Sequence, residues 1–379
     1  MKILYISPKI PYPLSDGGKL RVFNHIKHLS KKNEVVSLSF IKSKDELKNI
    51  EELKKYCSVE TILLPKWRSL FNSFFGLFSK KPLRVAYFKD KRFRKKARRL
   101  TKKSDLVIIQ ALRMAQYGID PKKTILDIVD TPSLQIRRAL KSESFIWKLI
   151  WKLELPRIVK YEKVLSKKFK KLVFASEPDK DIFGKGNVLK NFTDIRKIKR
   201  KENTGNNIMF LGNMEYPPNI DAVNYFVKDI FPLIKKKIKD AKFFIVGKNA
   251  DNIKNLANRD VVVTGFVEDL GELFNKCKVF VAPMRQGSGL QNKVLEALNY
   301  EIPVVTTSIV NAGVEAEDGK DLIVADRKKE FAEKTIEMMK NKKLRKNLAV
   351  NGKKFLMENY SKEKVNKWLD KIIKNAISN

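Results

Sequence analysis

The stretch from Val279 to Thr307 constrains the fold more than any other, because strand, turn, helix and strand follow one another there without spare residues. The apolar run from Val279 to Ala282 ends at Pro283, and Gly287 and Gly289 then permit positive φ angles and close backbone approach. A helical apolar face follows, formed by Leu290, Val294, Leu295 and Leu298. This order predicts a βαβ unit within a parallel sheet.

The start of the predicted helix also indicates an anion site. Its free backbone amides attract negative charge, and Lys293 adds a full positive charge beside them. Glu296, one turn later, cannot bind phosphate but can accept hydrogen bonds from the vicinal hydroxyls that a ribose offers. The alternative is an ordinary βαβ crossover in which both side chains lie on a solvated surface, and the spacing alone favours neither reading.

The rest of the chain repeats the same alternation in two series. Strands predicted at residues 3–7, 35–41, 60–64, 106–110, 124–128 and 172–176 alternate with helical segments, and a second series begins at residue 208. Such alternation predicts α/β domains with doubly wound parallel sheets. We expect two Rossmann-like domains facing each other across a cleft. They are an N-terminal acceptor-binding domain over residues 1–186, a linker over 187–206, a C-terminal nucleotide-sugar-binding domain over 207–360, and a helix over 361–379 that crosses back to the first domain.

Ligands in such sheets gather at the carboxyl ends of the strands. The long loop after the first strand closes with Gly17 and Gly18, close to Arg21. Asp127 and Asp130 fall at the end of a later strand, where a carboxylate can orient the hydroxyl of an acceptor. A role as N-cap of the next helix accounts for Asp130 equally well.

The formal net charge of +38 requires an explanation. Binding to nucleic acid, attraction to an anionic membrane surface and a generally lysine-rich composition all account for it. Most lysines fall on helical surfaces, which favours simple solvation, whereas the basic cluster from Lys89 to Lys103 indicates a patch that faces a membrane or an acceptor. Trp147 and Trp151, one helical turn apart among basic residues, fit either core packing or a lipid interface.

The chain contains few of the cysteine and histidine residues that commonly bind metal ions. Its two cysteines, Cys57 and Cys277, fit no metal spacing, and its two histidines are too few for a histidine-built site. No signal peptide and no transmembrane helix are expected, because the longest apolar stretches are short or broken by charged residues. We therefore expect a cytoplasmic protein whose contact with the inner face of the cytoplasmic membrane is peripheral.

Several sequence blocks resemble a known family. They are MAQY at 114–117, DIVDTPS at 127–133, GNMEYPPNIDAV at 212–223, FFIVGKNA at 243–250 and GLQNKVLEAL at 289–298. With the N-terminal glycine pair and the PVV that follows LEAL, these blocks resemble the GT-B glycosyltransferases of family 4 (group 1). More narrowly, they are similar to the sugar transferases found with exopolysaccharide and PEP-CTERM/exosortase gene clusters. The likeness spans essentially the full chain.

The resemblance implies a retaining glycosyltransferase of cell-surface polysaccharide or glycoconjugate synthesis. Its donor would be a nucleotide-sugar, UDP- or GDP-linked, and its acceptor a polyprenyl-linked sugar or an oligosaccharide. No metal or other cofactor is required in the family. The partners implied are therefore these two substrates and an anionic membrane surface, with no specific nucleic acid.

The family pattern also implies roles for individual residues. Glu296 matches the glutamate that binds the donor ribose, and Gly265 to Val267 match the turn whose backbone reads the base. The predicted donor-binding residues are Gly17, Gly18, Gly212, Asn213, Gly265, Phe266, Val267, Gly287, Ser288, Gly289, Leu290, Gln291, Asn292, Lys293 and Glu296. The predicted acceptor-binding residues are Arg21, Asp127 and Asp130, and the predicted catalytic residues are Asp130 and Lys293.

Two departures from the family pattern affect the donor phosphates. Ser288 stands where the first of the family's two glutamates would fall, and the block GNMEYPPN lacks the Arg and Lys that commonly grip the diphosphate. We therefore predict that Lys293, supported by the helix start, replaces them.

Two other functions are compatible with the sequence. A basic nucleic-acid-binding protein would explain the charge, although no basic-aromatic reader motif accompanies it. A UDP-sugar epimerase of the same fold also uses two such domains, and conversion of a UDP-sugar without an acceptor would distinguish it.

Overall fold

The computed structural model describes residues 1–14, 16–140, 145–195, 205–287 and 289–378. The chain forms two compact units, one comprising residues 1–191 with the C-terminal segment from Val365, the other residues 192–364. Each unit contains its own parallel sheet and its own apolar core. The two doubly wound α/β domains predicted from the alternation are thus confirmed.

The first unit is built on a sheet whose strands are β1 Lys2–Ser7, β2 Glu34–Ile41, β3 Ser58–Leu63, β4 Leu106–Gln110, β5 Thr124–Val129, β6 Lys171–Phe174 and β7 Asn187–Val188. Among its described residues these form a seven-stranded sheet in the order β3-β2-β1-β4-β5-β6-β7. The accompanying helices are α1 Gly17–Leu29, α2 Ile50–Lys54, α3 Lys66–Leu77, α4 Leu83–Ala86, α5 Lys91–Lys102, α6 Pro132–Ala139, α7 Phe145–Lys168 and α8 Glu177–Asp181. Short 3-10 helices lie at Lys44–Asn49 and Leu112–Tyr117.

The second unit contains the strands β8 Asn207–Leu211, β9 Lys242–Val246, β10 Val261–Gly265, β11 Val279–Ala282, β12 Val304–Thr306 and β13 Ile323–Val324. They form a six-stranded sheet, within the described part of the chain, in the order β10-β9-β8-β11-β12-β13. Its helices are α9 Pro217–Tyr225, α10 Phe231–Lys237, α11 Leu270–Lys276, α12 Asn292–Asn299, α13 Ser308–Val314, α14 Lys328–Lys340 and α15 Lys342–Tyr360. A short π-helix at Phe226–Ile230 joins α9 to α10, and a 3-10 helix lies at Ala250–Leu256. The final helix, α16 Lys362–Ser378, groups with the first unit from Val365 onward.

The strand order locates a ligand site in each unit. In the first sheet β1 lies beside β4, and in the second β8 lies beside β11. The chain winds outward in opposite directions from each of these pairs, so the loops after the two strands diverge and leave room for a ligand. In the second unit these loops begin at Gly212 and Pro283. The stretch that dominates the sequence therefore follows a strand at the switch point.

Local differences from the sequence-based expectation have physical causes. The helical segment between β3 and β4 is divided, and α4 and α5 are separate because Asp90 accepts hydrogen bonds from the amides of Arg92 and Phe93 and so caps a new helix. The glycine pair expected to close a loop instead begins α1. The segment expected to be a linker contains β7 at its start.

Candidate functional site

Three glycines bring the carboxyl ends of β8, β9 and β10 together. The Gly212 amide donates to the Val246 carbonyl at 2.9 Å, and the Gly247 amide donates to the Gly265 carbonyl at 2.8 Å. Gly247 has a φ of +141°, and a Cβ there would lie 1.9 Å from the Gly212 carbonyl oxygen. Only glycine fits such an approach. A close-packed backbone floor thus lies at the edge of the sheet where the sequence places Gly212 and Gly265 in the donor site.

A chain of amide side chains connects this floor to α12. Lys293 Nζ donates to Asn219 Oδ1 at 2.6 Å, and Asn219 Nδ2 donates to the Asn213 carbonyl at 2.8 Å. Asn249 Nδ2 in turn donates to Asn213 Oδ1 at 2.7 Å. A Cβ at Gly212 would lie 2.7 Å from Asn219 Nδ2, so this glycine makes room for the network. The loops after β8, β9 and β11 are therefore held together by hydrogen bonds.

Lys293 is a partly buried cation at the start of α12. Its Nζ lies 3.2 Å from Gln291 Oε1 and 5.2 Å from the centroid of the Phe210 ring. Burial lowers the pKa of Lys293 to about 7, because removal from water disfavours the ammonium form. Among the residues that the structure describes, its hydrogen-bond partners are neutral oxygen and sulfur atoms. An anion brought to this position would stabilise the charged form of Lys293.

The first turn of α12 adds backbone donors. The N-cap residue Gln291 makes no side-chain capping hydrogen bond, and its Oε1 faces Lys293. The partly buried Glu296 lies on the same helix, three residues after Lys293. Positive charge and a carboxylate thus follow each other within one turn, the arrangement expected for a diphosphate next to a ribose.

The loop before α12 approaches its neighbours closely. Gly287 and Gly289 have φ angles of +109° and +69°, the left-handed region that favours glycine. A Cβ at Gly313 would lie 2.3 Å from the Gly289 carbonyl oxygen. Leu290 packs against the apolar core, so any contact of this residue with a donor would be made by its backbone. Ser288 lies outside the described residues.

A cavity of about 490 Å³ lies beside the floor. It is lined by residues 248–251, Lys254 and residues 263–266. The exposed Phe266 is one of the lining residues, and Lys248 Nζ lies 4.6 Å from the centroid of its ring. Val267 packs against the core, which leaves its backbone for recognition. The volume lies in the range of small-molecule sites, and the lining includes Gly265 and Phe266 of the predicted base-reading turn.

Arg285, a cation of the loop between β11 and α12, is held by an acidic partner. Its Nε and Nη2 lie 3.1 and 2.5 Å from the two Asp221 carboxylate oxygens. Its guanidinium also lies 4.3 Å from the centroid of the Tyr225 ring. Arg285 therefore fixes the loop to α9, and Lys293 is the better candidate for contact with an anion.

In the first unit, Arg21 and Asp127 form a buried ion pair. Arg21 Nε and Nη2 donate to the two Asp127 carboxylate oxygens at 2.7 and 3.0 Å, and the side chains are 0% and 2% exposed. Arg21 Nη1 also donates to the Leu189 carbonyl at 2.6 Å and to Asn191 Oδ1 at 2.9 Å. This geometry argues against the direct acceptor contact predicted for both residues. It indicates that the pair fixes α1 to β5 and to the end of the segment after β7.

Asp130 differs from Asp127 because no described residue forms an ion pair with it as Arg21 does with Asp127. Burial and the neighbouring Asp179 carboxylate raise the pKa of Asp130 to about 7, against the opposing effects of Arg21 and Arg113. The preceding Val129 has a φ of +66°, a strained angle for a β-branched residue. Thr131, not Asp130, occupies the N-cap position of α6 and makes no side-chain capping bond. Asp130 is thus a titratable carboxyl at a strand end, which fits a role in proton transfer or in orienting a hydroxyl.

Gly17 and Gly18 are placed at the carboxyl end of β1 and β4. Gln110 Nε2 donates to the Gly18 carbonyl at 2.9 Å, and Asp16 caps α1 by accepting from the Lys19 amide. These contacts hold the start of α1 against the end of β4. No group of three or more metal-ligating side chains occurs among the described residues.

Comparison with known proteins indicates which activity this chain has. Residues 205–341 match the family model described as glycosyl transferases group 1. An uncharacterized 44.6 kDa protein from the cps region of Klebsiella pneumoniae is 25% identical over 96% of this chain and 97% of its own length. The Staphylococcus aureus capsular polysaccharide biosynthesis glycosyltransferase CapM is 26% identical over 35% of this chain and 37% of its own. This chain is a glycosyltransferase.

The structural comparison concerns the fold. Anabaena HepE, solved in complex with UDP and glucose, superposes with a TM-score of 0.69 over 99% of both chains at 14% identity. At that identity the likeness concerns the fold, and the glycosyltransferase has the GT-B fold that its sequence blocks implied.

Several residues of the site were absent from the sequence-based set. They are Asn219, Gly247, Lys248 and Asn249 in the second unit, with Arg113 and Asp179 in the first. Asn219 lies within the block GNMEYPPNIDAV, and Gly247 directly follows an apolar strand, so position at a strand end could have indicated both. Asp179 contacts Thr131 across 48 residues of sequence, and no local pattern predicts that pairing.

Proposed function

We propose that this glycosyltransferase transfers a sugar from a UDP-sugar to a lipid-linked or saccharide acceptor, with retention at the anomeric carbon, in the synthesis of a capsule or related cell-surface polysaccharide. On the sequence blocks quoted above we place it in family 4, among the sugar transferases of exopolysaccharide and PEP-CTERM/exosortase gene clusters. The reaction would take place in the cytoplasm, where nucleotide-sugars are made.

The observation that carries this proposal is the desolvated Lys293 ammonium at the start of α12. A cation whose pKa has fallen to about 7 in the free protein regains its charge most readily beside an anion of fixed charge. The diphosphate of a nucleotide-sugar is such an anion. Glu296, on the same helix, would receive the ribose hydroxyls, and the cavity beside Gly265 and Phe266 would receive the base.

The likeness to other proteins supports the choice of substrates. HepE was solved with UDP and glucose, which favours a uridine nucleotide over a guanosine nucleotide. The Klebsiella relative comes from a cps region, and CapM belongs to capsular polysaccharide biosynthesis, which favours a polysaccharide acceptor.

In the mechanism we propose, the bond between the anomeric carbon and the diphosphate oxygen breaks as the acceptor oxygen attacks from the same face. The acceptor proton passes to the departing diphosphate oxygen. Negative charge therefore grows on the diphosphate, and Lys293 with the first-turn amides of α12 stabilises it. No protein nucleophile is needed, so the main contribution of the protein is to position the substrates.

The proposed acceptor residue is Asp130. Its carboxylate would orient the acceptor hydroxyl, and with a pKa raised to about 7 it is half-protonated near neutrality. Acceptor kcat/KM should therefore rise with pH through 7, and the Asp130→Asn variant should lose both activity and that pH dependence. An Asp181→Asn variant is the matched control, and an unchanged pH profile in the Asp130 variant would refute the role.

The proposal as a whole is tested by a donor screen followed by a transfer assay. Thermal shift with UDP-, GDP- and ADP-sugars should show stabilisation by one class, and we expect the uridine class. Incubation of that donor with a polyprenyl-diphosphate-linked sugar should give a product extended by one sugar, with the anomeric configuration of the donor by NMR. Stabilisation by no nucleotide-sugar would refute the proposal, and conversion of the donor without an acceptor would favour an epimerase.

A further inference from the structure

Helix α3 exposes its large apolar residues and buries its small ones. Trp67, Phe71, Phe74 and Phe78 recur at helical spacing along one face, and each exposes more than half of its surface, up to 80% for Phe78. The opposite face carries Ser69, which is 1% exposed. It also carries Gly76, where a Cβ would lie 2.7 Å from Ala86 Cβ. A helix on a solvent-exposed surface shows the reverse pattern, with its large apolar residues buried and its polar residues exposed.

The first half of α7 has the same inverted arrangement. Phe145, Leu149 and Leu153 form a row at four-residue spacing and are all exposed, Phe145 by 83%. The inward face carries the buried Glu154 and Ile158. Glu154 accepts a hydrogen bond from the Leu83 amide at 2.8 Å, which attaches α7 to the start of α4. In a helix that faces water, leucine and phenylalanine are usually buried and glutamate is usually exposed, which is the opposite of this arrangement.

The two rows approach each other within the first unit. Arg157 continues the α7 row by four more residues, and its Nη2 donates to the Leu77 carbonyl at 2.9 Å, at the carboxyl end of α3. The rings of α3 pack on one another, with the Phe71 and Phe75 centroids 4.6 Å apart. We call the row Trp67, Phe71, Phe74 and Phe78, together with the row Phe145, Leu149 and Leu153, the α3–α7 surface.

The charged residues within the segments that carry this surface are basic. Residues 61–89 contain six Lys or Arg and no Asp or Glu, and residues 145–153 contain two Lys and no Asp or Glu. The basic helix α5 begins directly beside α3, since Asn72 Nδ2 donates to the Lys89 carbonyl at 2.9 Å. We call these cations the basic rim, which comprises Lys66, Arg68, Lys80, Lys81, Arg84, Lys89, Lys148 and Lys152. Large apolar side chains next to a basic rim match the interfacial region of an anionic bilayer.

We propose that the α3–α7 surface binds an anionic lipid bilayer, with its aromatic side chains inserted among the acyl chains and its basic rim on the headgroups. A second copy of this chain is the less suitable occupant. A two-fold interface would bring two copies of the same basic rim together on proteins of formal net charge +38. No helix of the described ranges is long and apolar enough to cross a membrane, so the contact would be made from one side.

Vesicle sedimentation tests the proposal with the full chain. The probe is a vesicle of phosphatidylcholine with about one-third phosphatidylglycerol, compared with phosphatidylcholine alone. The test variant is Phe71→Ser, Phe74→Ser, Phe78→Ser, all exposed positions whose change leaves the core intact. The matched control is Val164→Ser, Val350→Ser, Met357→Ser, three exposed apolar residues outside the surface.

A second pair of variants distinguishes the effect of charges at the α3–α7 surface from the effect of the net charge of the protein. Lys80→Glu with Lys81→Glu alters the rim, whereas Lys236→Glu with Lys237→Glu makes the same change in net charge on the second unit. All four lysines are exposed. If the rim acts locally, only the first pair will weaken binding.

We expect the protein to bind the anionic vesicles and not the neutral ones, and the triple serine variant to bind at least about tenfold more weakly. The Lys80/Lys81 variant should lose binding to a similar extent, and both controls should bind as the unaltered protein does. Trp67 and Trp147, both exposed, should show a blue-shifted fluorescence on vesicles.

Three outcomes would overturn the proposal: no binding to anionic vesicles, equal binding by the triple serine variant, or a dimer that this variant dissociates in sedimentation velocity. The proposed activity is tested separately by transfer to a water-soluble acceptor. Loss of membrane binding with unchanged transfer would leave the proposed function intact, and membrane binding without any transfer would refute the proposed function alone.

Discussion

Lys293 Nζ lies 2.6 Å from Asn219 Oδ1, and this hydrogen bond joins the start of α12 to the start of α9 across the switch point of the second sheet. The pair places a desolvated cation beside first-turn amides and above the floor formed by Gly212 and Gly247. A neutral amide holds the lysine in place without neutralising it. None of its described hydrogen-bond partners is a carboxylate that would compete with a donor diphosphate, and the charge of the diphosphate would favour the ammonium form.

Replacement of Lys293 by methionine should weaken donor binding by about 10- to 100-fold, because a charge-assisted contact to phosphate contributes about 1.5–3 kcal/mol. The fold should be retained, because relief from desolvation of the ammonium offsets part of the cost of losing its hydrogen bond to Asn219. Calorimetric titration with the UDP-sugar measures the effect. Lys278→Met is the matched control, because Lys278 is also partly buried with a lowered pKa but precedes β11 at the opposite end of the strand. Equal affinities in the two variants would contradict the role of Lys293.

Donor affinity should fall as the pH rises above 7. In the free protein the pKa of Lys293 is about 7, and a bound diphosphate should raise it, so binding takes up a proton between the two pKa values. Affinity is then highest below pH 7 and decreases by up to about tenfold per pH unit until the pH reaches the pKa of the complex. Titrations at pH 8 in buffers of different ionisation enthalpy measure the proton uptake. The Lys293→Met variant should show none, and a pH-independent affinity in the unaltered protein would count against the mechanism.

Alanine at Gly247 should disrupt the floor of the donor site. The new Cβ would lie 1.9 Å from the Gly212 carbonyl oxygen, a backbone atom that cannot move without separating β8 from β9. We expect a loss of about 3 kcal/mol or more in the free energy of unfolding, with loss of donor binding. Gly319→Ala is the control, because Gly319 also has a positive φ but no atom within 4 Å of a Cβ, so only about 1 kcal/mol of backbone strain is expected. Chemical denaturation distinguishes the two, and equal losses would show that the close approach is unimportant.

The Asp127→Asn variant should be destabilised by about 3–5 kcal/mol, because it leaves the Arg21 guanidinium buried without its carboxylate. Glu51→Gln, which breaks an exposed pair with Lys54, should change the free energy of unfolding by about 0.5 kcal/mol or less. Denaturation of both variants provides the comparison. A stable Asp127→Asn protein with a selective loss of acceptor affinity would restore the direct contact that the sequence suggested.

The sequence predicted the fold and the donor helix because both depend on local pattern. Continuous apolar runs such as Ile3 to Ile6 identify buried parallel strands, and the spacing after Gly289 identifies α12 with Lys293 at its start. The family blocks then supplied the GT-B arrangement. These predictions needed no knowledge of contacts between distant residues.

The features that the sequence did not predict depend on such contacts. Arg21 and Asp127 are 106 residues apart. Alone, Arg21 looks like an exposed functional residue near a helix start, and Asp127 like one at a strand end. Likewise, the lysine-to-asparagine bond from Lys293 spans 74 residues. The exposed aromatic row of α3 has a helical period that would equally suit a core-facing helix, and only burial shows that it points outward.

The central claim is that α12 holds a ribonucleoside diphosphate, with Glu296 on the ribose. It is tested most directly by the affinities of UDP and 2′-deoxy-UDP for the unaltered protein and for Glu296→Gln, with the exposed Glu272→Gln on α11 as control. We predict that the unaltered protein and the control prefer UDP by about tenfold, the value of one charge-assisted hydrogen bond, and that Glu296→Gln loses this preference. Equal affinity of the unaltered protein for both nucleotides, or a preference that survives in Glu296→Gln, would contradict the account.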